Sequence, residues 1–124
     1  MTTILVVENN RTVLETISRQ LAVMDYRVLK ATNVKEATAV FIRERPIDLV
    51  LIDIVLSEKE SGTELADALT ERDPALQILL MTGYSSEILN GIPSRRRAYP
   101  VIRKPFRRKE AKRVIEQLIA DGHG

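Results

Sequence analysis

The feature that most constrains the fold is a regular alternation of short apolar runs with segments whose apolar residues recur at helical spacing. The apolar runs are rich in Val, Ile and Leu, which is typical of strands buried on both faces of a sheet. They are residues 4–7, 27–31, 49–52, 77–81 and 101–102, of which 27–31 is the least apolar. Because strands that alternate with helices pair in parallel through right-handed crossovers, we expect an open parallel sheet covered by helices on both faces.

The segments between these strands carry the start signals of amphipathic helices. The predicted N-caps, two of them with an acidic residue three positions later, are Asn10, Asn33 with Glu36, and Ser61 with Glu64. A last helix is predicted to begin at Phe106. Residues 85–98 are ambiguous, because their first positions favour a helix that Gly91 and Pro93 would end early.

Length and composition exclude several classes of protein. The chain has 124 residues, the size of one domain, so we predict a single domain over residues 1–124. It has no cysteine, which excludes disulfides, thiolate catalysis and Cys-ligated metals, and its one histidine, His123, stands next to the last residue. No apolar run approaches the roughly 20 residues of a membrane span, and the first residues lack a signal peptide. We therefore predict a cytoplasmic protein without a membrane partner.

Polar residues follow four of the predicted strands, at the edge of the sheet where sites form in folds of this type. They are Glu8 with Asn9, Asp53, Thr82 and Lys104. Each alone is equally explained as a helix cap or a solvated surface residue. Together they have a chemical logic, since Asp53 could attack a phosphoryl group while Lys104 and a divalent cation stabilise its oxygens. Thr82 would add a hydrogen bond to the same group.

The sequences around these positions resemble those of bacterial response-regulator receiver domains, the CheY-like family. The matching motifs are Ile-Leu-Val-Val-Glu at 4–8, Leu-Val-Leu-Ile-Asp at 49–53, Leu-Met-Thr-Gly-Tyr at 80–84 and Lys-Pro-Phe at 104–106. The resemblance covers the whole chain and implies a single receiver domain. It also implies an α/β flavodoxin-like (βα)5 fold, a doubly wound sheet of five parallel strands in the order 2-1-3-4-5, with a short or disordered fourth helix. The Lys104–Pro105 bond would be cis.

The function that this resemblance implies is signalling rather than enzymatic turnover. Asp53 would accept a phosphoryl group from a sensor histidine kinase in a two-component phosphorelay, with Thr82 and Lys104 as supporting groups. The domain would then bind a downstream protein target, or act as a phosphate sink that competes with another response regulator. The alternative is a pseudo-receiver that binds partners without phosphorylation. An unrelated flavodoxin-like enzyme is disfavoured, because no glycine-rich phosphate loop is present.

The acidic pair after the first strand departs from the family, which usually has two acids there. The chain has Glu8 and Asn9 instead. With Asp53 and the backbone carbonyl of Val55, these residues would form the metal site, for which the family implies Mg²⁺. Because an amide is neutral and Ca²⁺ tolerates looser oxygen sets, we predict that Mg²⁺ binds weakly and that Ca²⁺ or Mn²⁺ can replace it.

Two further departures concern the output surface. Val101 stands where many receivers have an aromatic switch residue, and Tyr99 lies two positions earlier, so we do not expect an aromatic switch coupled to Thr82. Residues 95–124 contain ten Lys or Arg against three acids, a net +7, whereas residues 1–94 have a net charge of −5. This basic region is either a solvated helix surface or a face for an acidic protein partner. Nucleic acid is not expected, because no DNA-binding module or interleaved aromatic residues accompany it.

Overall fold

A computed structural model describes residues 1–83 and 99–123 of the chain. The described elements are β1 (Thr3–Val7), α1 (Arg11–Val23), β2 (Arg27–Ala31), α2 (Val34–Arg43), β3 (Leu49–Asp53), α3 (Gly62–Arg72), β4 (Gln77–Thr82), β5 (Val101–Arg103) and α4 (Arg108–His123). All five predicted strands are present, with bounds that differ by one residue at most. The ambiguous prediction for residues 85–98 lies outside the described part of the chain.

The five strands form one sheet in the order β2-β1-β3-β4-β5. Every neighbouring pair is parallel. This confirms the doubly wound, flavodoxin-like architecture predicted from the sequence. The strand order reverses between β1 and β3, and the carboxyl ends of strands at such a point form the crevice where sites are found.

The two faces of the sheet pack against different helices, because successive residues of a strand point to opposite sides. One layer contains Leu5 and Val7 of β1 with the apolar residues of α2 and α3. The other contains Ile4 and Val6 with the apolar residues of α1 and α4. Both layers are closed to solvent, so β1 is buried throughout, whereas the edge strand β2 has the mixed burial predicted for it.

The predicted N-caps are confirmed, since each cap side chain accepts a main-chain N–H of the first turn. The side chain of Asn10 accepts the N–H of Val13 (3.1 Å), that of Asn33 accepts the N–H of Glu36 (2.8 Å), and that of Ser61 accepts the N–H of Glu64 (3.3 Å). The capping box at α2 differs in one respect. Its Glu36 carboxylate reaches one residue beyond the cap and accepts the N–H of Thr32 at 3.0 Å.

The last helix begins two residues later than predicted, at Arg108 rather than Phe106. Phe106 is buried in the layer shared with α1, and this packing keeps it outside the helix. The Ala111 N–H donates to the Arg107 carbonyl at 3.0 Å, so Arg107 stands at the position where a Ser, Thr or Asp cap is usual. The Lys104–Pro105 bond is cis, as expected, and so is Arg45–Pro46. In the described part of the chain, no helix is long and apolar enough to span a membrane.

Candidate functional site

The sheet brings the predicted polar residues to a single edge. Glu8 directly follows β1, Asp53 ends β3, Thr82 ends β4 and Lys104 directly follows β5. Three of these side chains are almost closed to solvent, with exposures of 2% for Glu8, 8% for Asp53 and 0% for Thr82. Buried polar groups require partners, so the contacts among these residues determine what the site can do.

Lys104 joins the two buried carboxylates. Its Nζ lies 2.6 Å from Glu8 Oε1 and 2.8 Å from Asp53 Oδ2. The second oxygen of each carboxylate accepts a main-chain N–H, from Asn10 to Glu8 at 3.1 Å and from Val55 to Asp53 at 3.2 Å. Two like charges can therefore share the site, because one ammonium group and two main-chain donors compensate them.

The electrostatic balance differs between the acid and the base. Burial raises the pKa of Asp53 above its ordinary value; the Lys104 hydrogen bond opposes this effect, and repulsion by Glu8 adds to it. For Lys104, burial alone would lower the pKa, but the hydrogen bonds to Asp53 and Glu8 outweigh burial and the pKa is raised. The lysine is therefore a firmly charged group, whereas Asp53 is held as a carboxylate at a cost.

Main-chain hydrogen bonds fix the segments that leave the sheet beside Asp53. The Lys104 N–H donates to the Thr82 carbonyl at 2.7 Å, and the Ile54 N–H donates to the Met81 carbonyl at 3.0 Å. Both bonds extend the parallel ladders one residue past the strands. The main chain of Thr82 thus holds the main chain of Lys104 in position.

Helix α3 begins directly against the main chain of Asp53, a contact that the sequence reasoning missed. The Gly62 N–H donates to the Ile54 carbonyl at 2.8 Å. A Cβ at position 62 would overlap the Asp53 carbonyl oxygen and lie 2.9 Å from its carbon and from Ile52 Cγ2. The sequence does contain one signal of this contact. Gly62 is the first helical residue after the Ser61 cap, a position where a side chain is normally tolerated, so a glycine there indicates close packing.

The predicted metal ligands lie around the same carboxylates. Glu8 and Asp53 converge on Lys104, and the main chain of Val55 adjoins Asp53. The Asn9 Nδ2 donates to the carbonyl of Leu56, so its amide lies beside the segment that follows Asp53. Among the described residues, no group of three or more His, Cys, Asp or Glu could hold a metal. Two carboxylates, an amide and a carbonyl are nevertheless all hard oxygen donors, which fits a divalent cation of the Mg²⁺ or Ca²⁺ type.

Tyr99 lies apart from this cluster. Its hydroxyl donates to Asp67 Oδ1 at 2.5 Å and lies 3.4 Å from Thr70 Oγ1, so it contacts α3. Val101, at the position of the family aromatic residue, is 43% exposed. The sequence reasoning missed Asp67, whose only signal was an acid among the small and apolar residues of α3.

Fold and site together define a class: a doubly wound α/β domain with a buried Glu–Lys–Asp cluster at its switch point. The model of the response regulator receiver domain family matches residues 4–116. The chain therefore belongs to the response regulator receiver domains of bacterial two-component systems.

Two curated relatives and one solved structure illustrate the similarity. The response regulator receiver protein CpdR of Brucella abortus (strain 2308) is 37% identical over 78 residues, covering 63% of this chain and 64% of CpdR. The DNA-binding transcriptional regulator NtrC of Azospirillum brasilense is 26% identical over 117 residues, covering 94% of this chain and 24% of NtrC. The receiver domain of NtrX from Brucella abortus has a TM-score of 0.81 at 27% identity, covering 94% of this chain and 98% of that domain. The chain thus spans less than two thirds of the length of both curated relatives.

Family membership establishes a signalling role in general terms. Receiver domains are signalling domains rather than classical enzymes, and they interact with histidine kinases and downstream effectors. The family generally binds Mg²⁺ in its acidic pocket. In this chain, Glu8 and Asp53 are the two acids that contact Lys104.

Proposed function

We propose that the chain, as one receiver domain over residues 1–124, accepts a phosphoryl group on Asp53 from the phosphohistidine of a sensor histidine kinase. The observation that supports this most strongly is the contact of Lys104 Nζ with Asp53 Oδ2 at 2.8 Å. It provides a buried carboxylate with a fixed cation beside one of its two oxygens. The predicted cytoplasmic location is part of this proposal.

The transfer itself exchanges one bond to phosphorus for another. A carboxylate oxygen of Asp53 forms a bond to phosphorus while the P–N bond of the donor breaks, and the electron pair passes to the imidazole nitrogen. Charge then collects on the phosphoryl oxygens, where the Lys104 ammonium stabilises it and Thr82 donates a hydrogen bond. The raised pKa of Asp53 favours the reaction, because a carboxylate destabilised by burial gains from sharing its electrons.

A divalent cation would be held by Glu8, Asp53, the amide oxygen of Asn9 and the backbone carbonyl of Val55. When bound, it would neutralise negative charge on the phosphoryl oxygens. Because Asn9 replaces a carboxylate, we expect weak binding of Mg²⁺ and activity with Mn²⁺ or Ca²⁺ as well.

Intact-mass spectrometry after incubation with acetyl phosphate and Mg²⁺, Mn²⁺ or Ca²⁺ tests the proposal. The natural chain should gain the mass of one HPO₃ group, and Asp53→Asn should not. Asp48→Asn is a matched control, because Asp48 directly precedes the same strand at its opposite end and accepts the Thr3 N–H, a bond that an amide can keep. An adduct that persists in Asp53→Asn contradicts the assignment. No adduct with any cation or with a histidine kinase would favour the pseudo-receiver alternative.

We further propose that the phosphorylated domain acts by binding an acidic protein surface, or by withdrawing phosphate from a competing response regulator. The support is the exposed basic surface of α4 and the residue before it. Its exposed cations are Arg107, Arg108, Lys109, Lys112 and Arg113. Among the described residues of α4, the recorded ion pair joins Lys112 to Glu116 at 3.9 Å, a distance that contributes little at the surface.

Charge reversal of this surface separates the two modes of action. Arg108→Glu with Lys112→Glu should weaken binding to an acidic partner and reduce its dependence on salt. Uptake of phosphate from acetyl phosphate should be unchanged, because these side chains are exposed on α4, outside the contacts described around Asp53. A phosphate sink would keep its effect on the competing regulator in the charge-reversed variant. A docking module would instead lose its binding to the acidic partner.

A further inference from the structure

The segment after Asp53, residues 54–61, is folded back on itself, and we call it the Asp53 loop. Val55 and Ser61 form an antiparallel bridge. The Leu56 N–H donates to the Glu60 carbonyl at 3.1 Å, and Ser57 Oγ accepts the Glu60 N–H at 3.0 Å. These bonds give the loop an internal shape, and contacts with other elements place it relative to the sheet.

Burial of Ile54 and Leu56 in the core attaches one side of the Asp53 loop, and two side-chain hydrogen bonds join the loop to α2 and to the end of β1. At one side, Glu60 Oε1 accepts the N–H of Val34, the first residue of α2, at 3.3 Å. At the other, Asn9 Nδ2 donates to the Leu56 carbonyl, which ties the loop to the end of β1. The second contact adjoins Val55, whose N–H binds Asp53 and whose carbonyl is a predicted cation ligand.

The bond to Leu56 requires an amide at position 9. A carbonyl oxygen only accepts hydrogen bonds, so the Asn9 amide must present its nitrogen to Leu56 and its oxygen elsewhere. A carboxylate at position 9, the usual family residue, has no proton to donate and would place negative charge beside the Leu56 oxygen. Aspartate at this position would supply charge for a cation and lose the bond to the loop.

We propose that Asn9 is a positioning residue that holds the Asp53 loop in place without a cation, and that its neutral amide lowers the affinity and selectivity of the site for Mg²⁺. The amide nitrogen performs the first task, and the missing negative charge accounts for the second. The loop, with the Val55 carbonyl, is thus already positioned before any cation arrives. The part of the proposal that concerns cation affinity rests on the proposed function of the site, whereas the tether to the loop does not.

Hydrogen exchange in the presence of a chelator measures the tether. The reporters are the N–H group of Leu56, which donates to Glu60 within the loop, and the N–H group of Gly62, which directly follows the loop and donates to Ile54. Loss of one hydrogen bond should accelerate their exchange about two- to tenfold in both Asn9→Asp and Asn9→Ala. Unchanged exchange of both groups in Asn9→Asp would overturn the tether.

Calorimetric titration with Mg²⁺, in the absence of phosphodonor, measures the second effect. Asn9→Asp should bind Mg²⁺ at least about tenfold more tightly than the natural chain, because it adds a charged ligand. Asn9→Ala should bind no more tightly than the natural chain. Equal affinity of Asn9→Asp and the natural chain would overturn this half of the proposal.

A control variant separates loosening of the loop from the change of charge. Ser57→Ala removes the acceptor of the Lys59 and Glu60 N–H groups but no predicted cation ligand. It should accelerate loop exchange without strengthening Mg²⁺ binding. A gain in Mg²⁺ affinity in Ser57→Ala equal to that in Asn9→Asp would overturn the role of charge. None of these measurements uses phosphate. If the chain is not phosphorylated on Asp53, the proposed function is contradicted, but the hydrogen-exchange test of the tether still stands by itself.

Discussion

Replacing Gly62 with alanine tests how closely the start of α3 packs against the main chain of Asp53. The added Cβ would overlap the Asp53 carbonyl oxygen and lie 2.9 Å from two carbon atoms, the Asp53 carbonyl carbon and Ile52 Cγ2. Carbon atoms pack best at about 3.5–4.0 Å, so these two contacts alone require the chain to yield by roughly 0.6–1.1 Å, and the overlap with the oxygen requires more. Because the main obstacle is main chain held in the sheet, no flexible side chain can relieve the overlap.

The expected loss follows from two opposing effects. Alanine is favoured over glycine at a compatible helical position by about 0.5–1 kcal/mol. Overpacking of a closed site costs about 1–3 kcal/mol, occasionally more, and a rigid obstacle favours the upper end. We therefore expect Gly62→Ala to lower the free energy of unfolding by about 2 kcal/mol. With an unfolding entropy of about 2.1 cal/mol/K per residue, Tm should fall by about 8 °C.

Urea denaturation and thermal unfolding of the purified chain measure this loss. Gly83→Ala is the matched control, because no atom of residues 1–83 or 99–123 lies within 4 Å of a Cβ at that position. It should be neutral or slightly stabilising. Gly62→Ala should also slow the proposed phosphorylation of Asp53, since a displacement of about 1 Å at a reacting group can cost about a hundredfold in rate. A Gly62→Ala variant as stable as Gly83→Ala would refute the reasoning.

Three further substitutions test the charges and contacts of the site. Because burial raises the pKa of Asp53 in the folded chain above its ordinary value, the folded state holds this proton more tightly than the unfolded state does, and stability is lost as pH rises through the folded pKa. Asp53→Asn should lack this decline and be at least as stable as the natural chain at neutral pH in urea titrations; lower stability there would contradict the pKa direction. Lys104→Met leaves Glu8 and Asp53 buried without their shared cation and should cost about 3 kcal/mol or more in chelator, a loss that added Mg²⁺ should partly restore. An unchanged urea midpoint in chelator would show that the ion pairs do not stabilise the fold. Tyr99→Phe removes one donor from the Asp67 carboxylate and should cost about 1–3 kcal/mol by urea denaturation, whereas a change below about 0.5 kcal/mol would contradict a structural role.

The sheet and most of the site could be predicted because they follow from local patterns. Strand composition and helical spacing determine the order of elements, and the rules for crossovers leave few ways to arrange them. Asp53 and Lys104 directly end or follow strands, so any parallel sheet brings them to the same edge. The caps Asn10, Asn33 and Ser61 were predictable for the same reason, since each acts within four residues of its own position.

The missed features depend on contacts between distant parts of the chain. Tyr99 and Asp67 are 32 residues apart, and their hydrogen bond depends on how α3 lies beside the segment before β5. The closeness of Gly62 to Asp53 depends on the path of the intervening loop. The two-residue error at Phe106 has a similar cause, because burial against α1 overrides the local tendency to continue the helix. Sequence spacing alone contains no measure of these distances.

The exchange of a carboxylate for Asn9 has a consequence for the order of binding events at the proposed site. Glu8, Asp53 and Lys104 together leave one net negative charge, and every carboxylate oxygen already has a donor. A second acid at position 9 would add a charge that repels an incoming phosphoryl group until a cation neutralises it. With an amide there, less repulsion must be overcome and the Asp53 loop is already tied down. Phosphorylation of this chain should therefore depend less on prior Mg²⁺ binding than phosphorylation of its Asn9→Asp variant.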